Sequence, residues 1–318
     1  MSKDTKTVAL LHPLVVLGDY AWDVLIRTNT KLQVGGDTFG EVVLAPGGSA
    51  ANVAVWARRC GLETFFIGKI GKDKFGELAK DELSEERLEH YLIQTASHVT
   101  ASVGVWIDAS GERSMVSGKG ADFYLLPSEL PEHILKNCQH LHLSGWSFFT
   151  NPPRAAAQEA GRIAQANHAT LSFDPASFQL IEEMGAQKFI KETTRLGVNI
   201  LFPNFEEGKI LSQEQEPEAI VKTLADIYQG ALIALKLDRQ GALIYNGQDA
   251  VHIPATKDML IDATGAGDSF AGAFLSHYLK SQDPIEAARF ATKVSGWVIR
   301  HLGARPRMDS RISSIIDY

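Results

Sequence analysis

Short apolar runs alternate along the chain with longer stretches in which apolar residues recur every three or four positions. Val15-Val16-Leu17, Thr64-Phe65-Phe66-Ile67, Leu141-His142-Leu143, Thr170-Leu171-Ser172-Phe173, Ile200-Leu201-Phe202 and Ala231-Leu232-Ile233-Ala234-Leu235 have the length and composition of buried strands. Between them, Ser49 to Cys60 places Val53, Trp56, Ala57 and Cys60 at helical spacing and stops at Gly61. A later stripe of Ile285, Ala288, Ala291, Val294, Val298 and Ile299 starts behind a capping Asp283 and Pro284 and ends at Gly303. Strand and helix in turn predict βαβ units, hence an α/β fold with a mostly parallel central sheet flanked by helices.

Two segments break the alternation. Residues 24–43 and 100–115 carry strand-like pieces such as Ser102-Val103-Gly104-Val105-Trp106-Ile107, separated by polar turns at Gly35-Gly36-Asp37 and Asp108-Ala109-Ser110-Gly111. They read as a small β-sheet projecting from the main body, with surface loops as the alternative. The expected division is a core of residues 1–23, 44–99 and 116–318 and a small β lid of residues 24–43 and 100–115.

The chemistry concentrates at Ile261-Asp262-Ala263-Thr264-Gly265-Ala266-Gly267-Asp268-Ser269-Phe270, an apolar strand running into a glycine turn and then a helix. Gly265, Ala266 and Gly267 carry almost no side chain, so their N–H groups can face an anion while the helix adds its positive dipole end. Asp268 then stands beside that anion as a candidate base, which suits phosphoryl transfer to a hydroxyl. Alone, the string reads equally as a helix cap at Thr264 or Asp262 followed by a tight turn.

Bulk properties narrow the function classes. The 318 residues, 45% hydrophobic and 22% charged, can bury the core of one large α/β domain or of a domain with a small appendage. With 31 basic against 38 acidic residues the net charge is −7, and no Lys/Arg block tracks a nucleic-acid backbone, so no nucleic-acid partner is expected. Two cysteines, Cys60 and Cys138, are too few for a disulfide framework and fit a reducing, cytoplasmic setting. The N-terminal apolar run is interrupted by His12 and Pro13, and no span approaches the roughly 20 apolar residues of a membrane helix, so neither signal peptide nor anchor is expected. His140 and His142 alternate on one strand, yet no third ligand suggests a metal site. Every Gly-Lys pair lacks the Ser or Thr of a P-loop, and Phe270 stands where a dinucleotide fold needs its third glycine.

The chain resembles the ribokinase-like, phosphofructokinase-B-type carbohydrate kinases over nearly its whole length. Asp262-Ala263-Thr264-Gly265-Ala266-Gly267-Asp268 is similar to the family's DTxGAGD signature, departing at Ala263. Pro46-Gly47-Gly48-Ser49-Ala50-Ala51-Asn52 resembles its N-terminal glycine signature, Gly68 to Gly76 its GxxGxDxxG stretch, and Asn204-Phe205-Glu206-Glu207 its NxxE motif. The resemblance implies a ribokinase-like three-layer fold with a small β-sheet lid. It also implies ATP-dependent phosphorylation of a primary hydroxyl on a small sugar or sugar acid, with Asp268 as base and Gly265, Ala266 and Gly267 as anion hole.

Further site residues follow from the same resemblance. Asp23, Gly47, Gly48 and Asn52 would bind the sugar, a carboxylate at Asp23 accepting hydroxyl hydrogen bonds. The family often has Asn where Ala21 stands and Lys where Ser49 stands, which leaves the sugar open. Asn204, Lys236, Gly241 and Thr264 would serve the nucleotide, Lys236-Leu237-Asp238-Arg239-Gln240-Gly241 resembling a nucleotide loop with Asp238 in place of its usual first glycine. Glu207 would hold Mg²⁺ through water, since magnesium takes few protein ligands. Asp262, with Thr264 and the Gly303-Ala304 turn, would form a loop for K⁺ if a monovalent cation is held. Arg113, Lys119 and Asp122 are expected where lid and core meet, a cation there suiting a sugar carboxylate; no basic cluster for a second sugar phosphate stands out. Exposed lid strands offer edges for a homodimer. The alternatives are a nucleoside kinase of the same family, or a non-catalytic sugar or nucleotide sensor on the kinase scaffold.

Overall fold

The computed structural model describes residues 12–28, 30, 33–107 and 113–317, with Arg113 described in its backbone only. The strands are β1 (Leu14–Leu17), β2 (Ala21–Thr28), β3 (Gly40–Gly47), β4 (Thr64–Gly71), β5 (Glu89–Thr95), β6 (Ala101–Ile107), β7 (Arg113–Ser117), β8 (His140–Ser144), β9 (Thr170–Asp174), β10 (Ile200–Leu201), β11 (Leu232–Lys236), β12 (Ala242–Tyr245) and β13 (Ala250–Ile253). Nine of them form a sheet in the order β13-β12-β11-β10-β9-β8-β1-β4-β5. From β11 to β5 every pairing is parallel, and β12 and β13 close one edge as an antiparallel hairpin.

Parallel strands in the middle of such a sheet are covered on both faces, which favours near-continuous apolar runs. In β1 all four side chains are fully buried; Leu14 and Val16 join the cluster containing Trp56, Phe274 and Trp297, while Val15 and Leu17 join the opposite cluster containing Phe148 and Phe173. All six expected core strands lie in this sheet. Three strands went unpredicted: β5 and β13 are the edges, where half-solvated positions interrupt the apolar signal, and β12 is a short buried strand between β11 and β13.

Ser49–Arg59 and Pro284–Val298 are helical as expected, and Asp283 caps the second by accepting from Ile285 N and Glu286 N at 2.9 and 3.0 Å. The first is buried nearly all round, because helix Ala266–Ser281 packs over it. A Cβ on Gly272 would stand 2.6 Å from the Val53 carbonyl oxygen, so that contact needs a glycine.

The small sheet runs β3-β2-β6-β7, with β2 and β6 parallel and the outer pairs antiparallel. It is longer than its hairpin signals indicate: β2 begins at Ala21, β3 runs on to Gly47 and β7 to Ser117, so Asp23 and Gly47 lie on this sheet. The reason is the pairing of Ala21 with Gly47 and of Asp23 with Ala45, which extends the ladder to the mouth of the Ser49–Arg59 helix. The expected turn at residues 108–111 lies outside the described residues. Leu25, Val105 and Ile107 on the inner face pack with Leu302 of the main body. Among the described residues no helix is long and apolar enough to cross a membrane.

Candidate active site

In an open parallel sheet, side chains converge beyond the carboxyl ends of the strands. Asp174 ends β9 and Lys236 ends β11, and their side chains meet at 2.6 Å as an ion pair. The ammonium also faces the glycine turn, since a Cβ on Gly267 would stand 3.1 Å from Lys236 Nζ.

The turn itself is braced from beneath. Asp262, fully buried, accepts from Thr264 N (2.8 Å) and Thr264 Oγ1 (2.6 Å) with one oxygen and from Gly303 N (2.8 Å) with the other. Gly265 takes φ +76°, and a Cβ there would come within 2.5 Å of Ala304 Cβ, so conformation and space both require glycine. The N–H of Ala266 bonds back to the Ala263 carbonyl at 3.2 Å. The N–H groups of Gly265 and Gly267 have no partner among the described residues and open the helix Ala266–Ser281 toward the cleft.

Asp268 stands in the first turn of that helix. Its Oδ2 accepts from Asn52 Nδ2 at 2.7 Å, and Asn52 Oδ1 in turn accepts from Arg305 Nε at 2.8 Å. Burial pushes the Asp268 carboxyl up to about 6; the Asn52 bond pulls it back, Asp174 adds to the rise and Lys236 opposes it. The group is therefore mostly ionised at neutral pH yet close enough to it to exchange a proton readily.

Asp23 is 6% exposed, and burial holds it at about 7 against the pull of Arg305, with Asp268, Asp19 and Asp262 adding to the rise. A Cβ on Gly47 would stand 2.4 Å from both Asp23 carboxylate oxygens, so Gly47 makes room for that carboxylate and does not itself line the cleft. Gly48, at φ +88°, does line it. Asp19 closes the helix mouth beyond, accepting from Ser49 N at 2.6 Å and Ala50 N at 3.2 Å. Asp122 lines the same wall, pushed up to about 8 by burial, and its Oδ1 is buried without a hydrogen-bond partner among the described residues.

On the opposite side Asn204 and Glu207 form a capping box at helix Phe205–Ser212: Asn204 Oδ1 accepts from Glu207 N at 2.9 Å and Glu207 Oε2 from Asn204 N at 2.8 Å. Glu207 is 1% exposed and burial drives it up to about 8, Asp174 adding and Lys236 opposing. Among the described residues no group of three His, Cys, Asp or Glu side chains could hold a metal ion by itself. The crowded carboxylates of Asp174 and Glu207 suit a divalent cation held mainly by phosphates and water. Gly241 takes φ +96°, where a Cβ would meet the Ile253 carbonyl oxygen. Asp238, standing where glycine is usual, itself adopts φ +49°, which Asp tolerates better than most residues.

One cleft of about 1330 Å³ joins these parts, running from Asp23 past Asp268 and the glycine turn to Gly241 and Ile299. Of the expected site residues it collects Asp23, Gly48, Asn52, Asn204, Glu207, Lys236, Gly241 and Thr264 to Asp268, and leaves Gly47 and Asp262 behind its wall. His140 and His142 belong to the core: they bond Thr170 Oγ1 and Ser172 Oγ, and burial pushes both down to about 3, so they are neutral. The site uses three residues that the sequence did not single out. Asp174 had a usable signal, a carboxylate ending an apolar strand; Asp19 and Arg305 act through partners distant in sequence.

The model of the "pfkB family carbohydrate kinase" matches residues 12–311. The chain is 25% identical to an ATP-dependent 6-phosphofructokinase from Thermoanaerobacterium thermosaccharolyticum, over 81% of this chain and 80% of that protein. It is 28% identical to a fructokinase from Escherichia coli, over 82% of each. Among solved structures, an adenosine kinase from Sinorhizobium meliloti superposes with TM-score 0.86 at 22% identity, covering 96% of this chain and 99% of that one. A putative ribokinase II from E. coli in complex with ATP and Mg²⁺ superposes with TM-score 0.81 at 22% identity, covering 92% and 94%. A match of this extent, on a cleft with a carboxylate at its glycine turn, shows that the chain belongs to the pfkB family of carbohydrate kinases.

Proposed function

We propose that the protein transfers the γ-phosphoryl group of ATP to a hydroxyl of a small, uncharged sugar. The observation that carries this reading is the position of Asp268, which lines the cleft beside two N–H groups that have no partner among the described residues and faces Lys236. The Asp268 carboxylate takes the hydroxyl proton as the sugar oxygen forms its bond to the γ-phosphorus, and the bond from that phosphorus to the β-γ bridging oxygen breaks to release ADP. Gly265, Gly267 and the helix mouth face the charge on the transferring group, with Ala266 shaping the turn. Asp23, Gly48 and Asn52 hold the sugar, Gly47 giving Asp23 its space. Asn204, Lys236, Gly241 and Thr264 serve the nucleotide, and Glu207 holds Mg²⁺ through water. Since the Asp262 carboxylate is spent on three donors, any K⁺ would rest on carbonyls of the turn around it.

An uncharged acceptor is favoured by charge. Lys236 and Arg239 are the cations lining the cleft among the described residues, both on the nucleotide side, whereas Asp19, Asp23 and Asp122 line the acceptor side. Lys119 is exposed and does not line it, and the Arg113 side chain lies outside the described residues. The small sheet, with Ala101, Val103, Met115 and Ser117 on the cleft, acts as a lid on the core, its strands extending past residues 24–43 and 100–115.

A coupled ATP-consumption screen tests this against ketoses, pentoses, aldonic and keto-deoxy acids, and nucleosides, with and without Mg²⁺ and K⁺. Turnover confined to neutral sugars is expected; turnover confined to sugar acids or nucleosides would overturn the acceptor class. The outer face of the lid carries Val42, Leu44, Trp106 and Val116, 67, 44, 43 and 76% exposed, across its strands, as a surface for a second copy of the chain. Light scattering should give a dimer that Val116→Glu splits; a monomeric parent removes this part of the reading.

A further inference from the structure

Arg305 is a cation with no exposed side-chain surface, and it does not line the cleft. A buried guanidinium is retained only where its donors are met, and here every nitrogen is used. Nε donates to Asn52 Oδ1 at 2.8 Å, Nη1 to both oxygens of Glu82 at 2.9 and 2.8 Å, and Nη2 to the Gly47 carbonyl at 2.7 Å. Glu82 also accepts from Tyr20 OH at 3.2 Å, and the guanidinium lies 5.3 Å from the Tyr20 ring centroid.

This arrangement decides which way the Asn52 amide points. With Oδ1 taken by a permanent donor, Nδ2 is turned to Asp268, where it donates at 2.7 Å. The reversed amide would set NH₂ against a guanidinium and a carbonyl oxygen against a carboxylate, losing two charge-assisted bonds. Arg305 also sits two residues after Gly303, whose N–H braces Asp262, and one after Ala304, whose carbonyl accepts from Trp56 Nε1 at 2.9 Å. The segment that underlies the glycine turn thus also reaches the acceptor side.

We infer that Arg305 is a positioning residue for phosphoryl transfer: acting through Asn52, it fixes the Asp268 carboxylate in its reactive orientation, and through the Gly47 carbonyl it fixes the wall behind Asp23. The inference rests on the kinase reading above. Arg305 also supplies the positive charge that opposes the rise of Asp23, whose carboxylate is faced by Asp268, Asp19 and Asp262; Asp268 is faced by Asp174, Lys236 and Asp19.

The test is a double-mutant cycle on the full chain with the best acceptor from the screen, comparing Arg305→Met, Asn52→Ala and the pair. Arg305→Met should lower kcat by roughly 10- to 100-fold, as loss of an orienting contact does, while KM for ATP stays within about twofold. The acid limb of kcat/KM should move upward by about one pH unit as Asp23 loses its compensating charge. In the pair, the two losses should overlap, leaving it no more than about twofold slower than the worse single variant. Additive losses, or an unmoved acid limb with a changed KM for ATP, would overturn the inference. Should Arg305→Met fail to fold, Arg305→Lys keeps the charge but cannot reach Asn52, Glu82 and Gly47 together, and the same cycle is run with it. A parent with no acceptor-dependent turnover would instead count against the kinase reading, which separates the two failures.

Discussion

The two ends of the cleft are built by different means. On the nucleotide side, position comes largely from backbone closed within a few residues: the Asn204–Glu207 capping box, Asp238 and Gly241 at positive φ, and the Gly265 turn, which Gly303 braces through Asp262. On the acceptor side it comes from side chains whose partners lie 216 to 258 residues apart, linking Asp268, Asn52, Arg305, Glu82 and Gly47. A turn closed locally depends on few distant contacts, while a network of this kind fails together. The acceptor side also gathers carboxylates that burial holds at about 6, 7 and 8 for Asp268, Asp23 and Asp122, with one buried cation behind them.

The largest expected effect breaks the acceptor side alone. Asp268→Asn keeps the Asn52 contact within reach and removes the base, so kcat should fall by about 10²–10⁴-fold while ATP binding, followed by calorimetry, is unchanged. Near-normal turnover would remove Asp268 from the role of base. A smaller effect isolates the nucleotide side. Gly241→Ala puts a Cβ against the Ile253 carbonyl oxygen at φ +96°, which should cost about 1–3 kcal/mol of stability and raise KM for ATP several-fold. The KM for the sugar should not move; if it does, the two sides are not independent.

The same contrast explains what the sequence disclosed. Closed turns leave local signatures, so the Gly265-Ala266-Gly267-Asp268 run and Asn204 with Glu207 were legible, as were the central strands, whose burial on both faces favours near-continuous apolar runs. Arg305 was not, because nothing near it in sequence distinguishes a buried arginine from a solvated one; its meaning comes from Asn52, 253 residues away. Gly47 was placed on the sugar for its smallness, and it is small for a different reason, the carboxylate of Asp23 across the strand pair. Ala266 likewise sits in the turn, with its N–H spent on Ala263. Edge strand β13 escaped because its solvated positions interrupt the apolar signal, whereas buried β12 had a usable one in Ala242-Leu243-Ile244-Tyr245.

The smallest effect, and the one that measures the cost of the acceptor side, is on stability. Burial raises Asp23 from 3.8 to about 7, so the native state keeps a proton that the unfolded chain releases near pH 4. The stability tied to that proton is complete below about pH 4 and is lost as pH rises through about 7. An amide of the same shape never ionises and escapes this loss. Asp23→Asn should therefore be more stable than the parent by about 1–3 kcal/mol at pH 8, with the gap closing as pH falls toward 4. Its KM for the sugar should rise, because an amide oxygen accepts hydroxyl hydrogen bonds less strongly than a carboxylate. Denaturant melts at pH 8 and pH 5 give the comparison directly. A variant less stable than the parent at both would mean that the Asp23 carboxylate is held by partners and that the acceptor side carries no special cost.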